Sequence, residues 1–174
     1  MPRQYDLPMN TPPVFIFVGH SNSGKTTFVE KLIPELSHRG LRVATMKHAH
    51  HSVSLDTEGK DSWRYKQAGA TMSMLVTKSA VQLVADAVDQ REPHVLARRF
   101  LGEADLVLAE GFSFAQGPKI EVLRRACEKP PRCSLADGVV ALVTDCDDVY
   151  PGLPRFGLDD VSGVADFLIA RMCA

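Results

Sequence analysis

The stretch GHSNSGKTT, Gly19 to Thr27, follows the apolar run VFIFV, Val14 to Val18. A short continuous apolar run suits a strand buried on both faces. Gly19-His20-Ser21-Asn22-Ser23-Gly24-Lys25-Thr26 fits G-x-x-x-x-G-K-[ST] without a mismatch. It also has the strand before and the helix after that give the pattern its meaning. The glycines let backbone N–H groups turn inward around an anion, and the helix starting there adds unpaired N–H groups and its dipole. Lys25 is placed to reach the β- and γ-phosphates, and Thr26 to put a hydroxyl on Mg²⁺. Gly19 to Thr27 therefore holds a nucleotide triphosphate; the plainer alternative is a glycine turn carrying a surface lysine.

Outward from this loop the pattern alternates. Helical spacing from Gly24 to about His38 sets Phe28, Val29, Leu32, Ile33 and Leu36 on one side. Pro34 is expected to kink or loosen the last turn, and Gly40 to end it. Strands are expected at Leu41–Met46, Asp105–Glu110, Lys119–Leu123 and Val139–Thr144. Thr71–Thr77 and Ala80–Ala85 read as two strands around a tight turn at Lys78-Ser79. Helices are expected over Gly59–Gly69, Glu92–Gly102 with Pro93 in its first turn, and Asp159–Met172 with an Asp cap. Lys47–Glu58 and Glu128–Ala136 read as loops. Together these elements predict an α/β, three-layer P-loop NTPase fold, with a mostly parallel sheet and helices on both faces. Residues 14–174 are expected to form a single nucleotide-binding domain, preceded by a flexible arm over residues 1–13. In such sheets ligands bind beyond the carboxyl ends of the strands.

Composition narrows the function. The chain has 174 residues, 45% hydrophobic and 24% charged, with a formal net charge of -1. That balance argues against a nucleic-acid binder, which shows a basic excess. No apolar run approaches the ~20 residues of a membrane span. The start, MPRQYDLPMNTPP, lacks the apolar centre of a secretory signal. Cys127, Cys133, Cys146 and Cys173 are scattered, with no CxxC pair, which reads as free thiols in a reducing cytoplasm rather than a zinc knuckle.

A P-loop site also needs an acid at the end of a neighbouring strand. DLVLAEG supplies Glu110, a variant of the usual Asp, as metal-shell or water-positioning residue. Gly111 lets the backbone pass close to the γ-phosphate. After the second strand comes KHAHHSVSLDTEGKDS, Lys47 to Ser62. His48, His50 and His51 invite a metal reading, but their spacing is poor and no cysteine is near; polar loop residues are the alternative. At least one of Asp56, Thr57 and Asp61 is expected to complete Mg²⁺ coordination or orient the attacking water, with Asp56 the metal candidate and Asp61 the catalytic one. Lys60 and Arg64 suit phosphate or solvent. No NKxD guanine reader occurs. Thr144 and Asp145 end a late strand where a base-reading loop lies, and the Asp145 carboxylate can accept from the two N–H donors on one guanine edge; a plain turn residue is the alternative.

The blocks GHSNSGKTTFVEKLIPEL, VATMKHAHH, DTEGKDSWRYKQAGA, DLVLAEGF and PKIEVLRR occur in that order. Together they resemble the MobB family of molybdopterin-guanine dinucleotide biosynthesis adapter proteins, from about Val14 to Met172. The resemblance implies a homodimeric GTP-binding protein with weak GTPase activity. It implies a supporting role beside the MobA-type guanylyltransferase that attaches GMP to molybdopterin. It implies GTP phosphates on Gly19 to Thr27, Mg²⁺ at Thr26 and Glu110, and Lys47–His51 and Asp56–Ser62 lining the same cleft. Weak hydrolysis agrees with the residues, since there is no DxxGQ glutamine and no evident arginine finger in cis. Two rivals stand beside it. One is a small-molecule kinase using Arg98-Arg99 or Arg124-Arg125 as a lid; the other is a metal-delivery GTPase using the histidines. The hairpin at Thr71–Ala85 is a candidate edge for pairing between chains.

Overall fold

The computed structural model describes residues 11–49, 54–86 and 92–173. In chain order the elements are β1 (Val14–Val18), α1 (Lys25–His38), β2 (Val43–Lys47), α2 (Asp61–Gln67), β3 (Met72–Val76), β4 (Val81–Ala85), α3 (Pro93–Phe100), β5 (Leu106–Glu110), β6 (Lys119–Leu123), β7 (Val139–Thr144), β8 (Arg155–Phe156) and α4 (Val161–Met172). They fall into two compact units, residues 1–48 with 91–174 and residues 49–90.

The first unit is built on one sheet of order β2-β5-β1-β6-β7-β8, parallel at every pairing. Parallel strands buried on both faces need apolar side chains on both, and β1 shows it. Phe15 and Phe17 face a core formed with α1 and α4, including Phe28, Leu32, Leu36, Val164 and Leu168. Ile16 and Val18 face a second core with Ala109, Phe112, Val139 and Leu142, against which Leu96 of α3 packs. Helices therefore cover both faces, as the sequence implies.

Several local outcomes differ from expectation. Helix α1 runs unbroken through Pro34 to His38, because Leu32 and Leu36 on either side are both fully buried in the core. It ends as a Schellman motif: Gly40 (φ 86) donates its N–H to Ser37 O at 3.0 Å, and Leu41 donates to Leu36 O at 3.2 Å. Leu41 is thus part of the helix stop, and β2 starts later than expected, at Val43. The segment Glu128–Ala136 is not wholly loop, since Leu135–Asp137 forms a 3₁₀ turn closed by a Ser134–Asp137 capping box. A two-residue edge strand, β8, follows the last buried strand. The cap of α4 is Asp160, which accepts from the Gly163 N–H at 3.0 Å.

The second unit carries α2 and the antiparallel pair β3–β4, joined at the expected turn. Thr77 and Ala80 close that turn, with Thr77 N–H donating to Ala80 O at 2.9 Å. Lys66 Nζ donates to Ala70 O and to the Asp86 carboxylate, each at 2.5 Å, and so fastens α2 to both ends of the hairpin. The register pairs Met72 with Ala85, Met74 with Leu83 and Val76 with Val81. These alternate residues share one face.

Candidate functional site

The carboxyl ends of β1, β2 and β5 converge on the loop Gly19–Gly24. Gly19 (φ 141), Asn22 (φ 67) and Gly24 (φ 93) bend it, two of them in left-handed conformations open to Gly or Asn. A Cβ on Gly19 would overlap the Val122 carbonyl oxygen of β6, so only glycine lets the loop lie against the sheet. Ser23 N–H donates to His20 O at 3.2 Å and Phe28 N–H to Gly24 O at 2.9 Å, which starts α1 inside the loop. Ser23 Oγ is buried and has no hydrogen-bond partner among the described residues. A buried hydroxyl left unpaired is disfavoured by ~1–3 kcal/mol, and this one sits within the glycine loop that precedes α1.

Lys25 Nζ donates to the His20 carbonyl at 2.6 Å, reaching back across the loop. Burial pushes its pKa down, against the pull of Glu110 and Glu121. Thr26 Oγ1 donates to Glu110, 2.9 Å from each carboxylate oxygen. The register sets Glu110 opposite both Phe17 of β1 and Lys47 of β2. Lys47 Nζ accordingly lies 3.3 Å from Glu110 Oε1 and 3.3 Å from Thr26 Oγ1. Gly111 (φ 92) turns the chain after β5, and a Cβ there would press to 3.2 Å on His48. Thr26, Glu110 and Lys47, named from sequence, are thus one cluster. A hydroxyl and a carboxylate are the hard oxygen donors Mg²⁺ takes beside substrate phosphates, so the donor set fits that ion.

On the other side of the loop a cavity of ≈ 360 Å³ opens, lined in part by Gly24, Thr27, Phe28, Arg124 and Asp145. Asp145 is therefore beside the loop. Its Oδ1 accepts from the Arg125 N–H at 2.7 Å, and the Arg125 guanidinium donates to Asp145 O and to Asp147. Thr144 is buried and its Oγ1 accepts from Cys146 N–H at 2.9 Å, so it shapes the turn instead of lining the cavity.

His48 packs its ring on Phe112 and Phe114, with centroids at 5.3 and 5.1 Å. Among the described residues no group of three or more His, Cys, Asp and Glu comes together as a metal site; His50 and His51 lie outside them. Asp56, Thr57 and Asp61 belong to the second unit. There Asp56 Oδ1 accepts from Thr57 N–H at 2.8 Å and from Ser62 Oγ at 3.1 Å, and Asp61 lies 3.6 Å from Arg64 at the start of α2.

One functional group has no counterpart in the sequence reading. Glu121 of β6 is wholly buried beside the loop. Its carboxylate accepts from Arg132 N–H at 2.7 Å and Cys133 N–H at 3.1 Å. Burial pushes its pKa up, opposed by these two donors. His20 Nε2 donates to Pro130 O at 3.0 Å, and Cys127 Sγ to Asn22 O at 3.6 Å. The segment 127–133 is thereby strapped to the phosphate loop. The available signal was an acid alternating with Lys119 inside the apolar strand PKIEVL.

The family model for molybdopterin guanine dinucleotide synthesis protein B (MobB) matches residues 14–145. The molybdopterin-guanine dinucleotide biosynthesis adapter protein of Haemophilus influenzae is 42% identical over 163 residues, 91% of this chain and 89% of the relative. That of Escherichia coli is 31% identical, covering 92% and 93%. A crystal structure of molybdopterin-guanine biosynthesis protein B superposes with a TM-score of 0.72 at 28% identity, over 92% of this chain and 99% of that one. Bacillus subtilis MobB gives 0.69 at 31% identity, over 91% and 97%.

Proposed function

The chain belongs to the molybdopterin guanine dinucleotide synthesis protein B family, and on that premise we propose how its site works. The protein is an adapter in molybdopterin guanine dinucleotide biosynthesis. The finer reading is that it binds GTP with Mg²⁺, hydrolyses it slowly, and serves the guanylyltransferase that joins GMP to molybdopterin. The observation that supports this is the Thr26–Glu110 contact at 2.9 Å beside Lys25, a hydroxyl and an acid paired where Mg²⁺ and the γ-phosphate would lie on this reading.

On this reading the loop N–H groups and Lys25 take the β- and γ-phosphates, and Lys25 exchanges the His20 carbonyl for phosphate oxygens. Thr26 and Glu110 would hold Mg²⁺, which when bound neutralises charge developing on the transferred phosphoryl group. Lys47 adds a second cation at that end, and Gly111 leaves room for it. At the other end Asp145 keeps an exposed carboxylate for the guanine N–H edge. Phosphoryl transfer depends on positioning and charge, and the chain has no DxxGQ glutamine to hold the water. Turnover without a partner is therefore expected below ~1 s⁻¹, the low end of kinase rates.

The molecule is further read as a homodimer joined through β3–β4. Met74, Val76 and Val81 on one hairpin face are 60%, 65% and 62% exposed, and an apolar, twisted two-stranded ribbon is marginal without a covering surface.

The deciding experiment is calorimetry with GTP and ATP, each in Mg²⁺, on the wild type and Lys25→Ala. Selective GTP binding, lost in the variant, is the expected result. Equal or tighter ATP binding overturns the guanine assignment and brings the small-molecule kinase reading forward.

A further inference from the structure

Arg124 follows the end of β6, and its side chain turns back over the phosphate loop. Its Nη2 and Cζ lie 3.3 and 3.8 Å from where a Cβ on Gly24 would stand. The neighbouring Arg125 guanidinium donates through Nη2 to Asp145 O and to the Asp147 carboxylate. The Arg124 carbonyl accepts from Cys127 N–H at 2.9 Å, but its guanidinium makes no hydrogen bond or close ion pair among the described residues; the nearby Asp159 is bonded to Lys31. A guanidinium held beside a helix start, with five donors unspent, is matched to phosphate oxygens.

Its position says which phosphate. Lys25, Thr26, Glu110 and Lys47 gather at one end of the loop. Arg124 lines a cavity that none of these four lines, shared with Gly24, Thr27 and Asp145. The buried, unpartnered Ser23 hydroxyl lines the same cavity. A nucleotide with its terminal phosphates at Thr26 and its base at Asp145 presents its α-phosphate between them.

Resting on the nucleotide reading above, we propose that Arg124 is the α-phosphate ligand of this site, a cation supplied in cis and separate from Lys25. The two arginines of the pair then divide the work: Arg124 holds the phosphate, and Arg125 fixes the loop that bears Asp145. Because di- and triphosphates share the α-phosphate, Arg124 contributes equally to both.

The test is titration of GTP, GDP, ATP and ADP, and of the two α-thio diastereomers of GTP, into wild type, Arg124→Gln and Arg124→Lys. Thermal melting checks that the variants are folded. Charge-assisted hydrogen bonds of ~1.5–3 kcal/mol correspond to roughly a tenfold to hundredfold change in affinity. Arg124→Gln is expected to lose that factor equally for GTP and GDP, with Arg124→Lys between it and wild type. The wild type is expected to discriminate between the diastereomers and Arg124→Gln to bind them alike. Wild-type affinity in Arg124→Gln, a loss confined to triphosphates, or diastereomer preference unchanged by the substitution would overturn the assignment. If ATP and ADP bind better than the guanine nucleotides but lose the same factor, the guanine reading fails and Arg124 keeps its role. If the wild type binds none of them, both fall.

Discussion

Strand β1 and the hairpin β3–β4 are similar in sequence and opposite in environment. VFIFV and MSMLV are both five-residue strands, wholly apolar in the first and apolar but for Ser73 in the second. In β1 Phe17 is 0% exposed, locked between two parallel neighbours and a helical layer. In the hairpin Met74 is 60% exposed, with one strand neighbour. Hydrophobicity thus states that a residue is to be covered, and topology decides whether its own chain does the covering. β1 is completed within its unit, whereas the hairpin presents a face suited to another surface.

Three substitutions sharpen that contrast. Phe17→Ala removes a ring that packs on Phe28 at 6.3 Å between centroids. It should lower unfolding free energy by ~3–5 kcal/mol in a urea titration; a loss under 1 kcal/mol would mean the sheet core is looser than its burial indicates. The next effect is pH-dependent. Burial raises the Glu121 pKa in the folded state above its ordinary 4.5. The folded protein thus binds that proton more readily, and the stability it adds is present below pH 4.5 and lost as pH rises through the folded pKa. Glu121→Gln lacks this titration, so its urea midpoint should gain on the wild type as pH climbs from 4. A constant difference between the two would refute the assignment. The smallest effect on chain stability belongs to Met74→Lys, within ~0.5 kcal/mol as for other exposed sites. Sedimentation should nonetheless show self-association weakened. A stability loss approaching that of Phe17→Ala would erase the contrast between the two regions.

The phosphate loop and its flanking elements were legible because they are local. A continuous apolar run, two glycines at fixed spacing and a helical stripe need no distant partner to be read. Glu110 and Lys47 were legible as strand-end residues, although their pairing across β2 and β5 depends on strand order. Glu121 was not, because its partners are backbone N–H groups eleven and twelve residues downstream. The start of β2 slipped for a similar reason: Leu41 looks like strand but answers the carbonyl of Leu36. β8 has two residues and is defined only by its bond to β7. Arg124 stood out in the sequence as one of a basic pair, but only the fold separates it from Arg125.

If the loop takes a nucleotide as proposed, the contact of Gly19 with the β6 backbone would also bear on how fast it fills. With no room for even a methyl group between loop and strand, the sheet moulds the ring, and the cargo does not have to. Capture then surrenders little chain entropy. On the nucleotide reading, arrival would be governed by diffusion and by the release of one side chain, Lys25, from the His20 carbonyl.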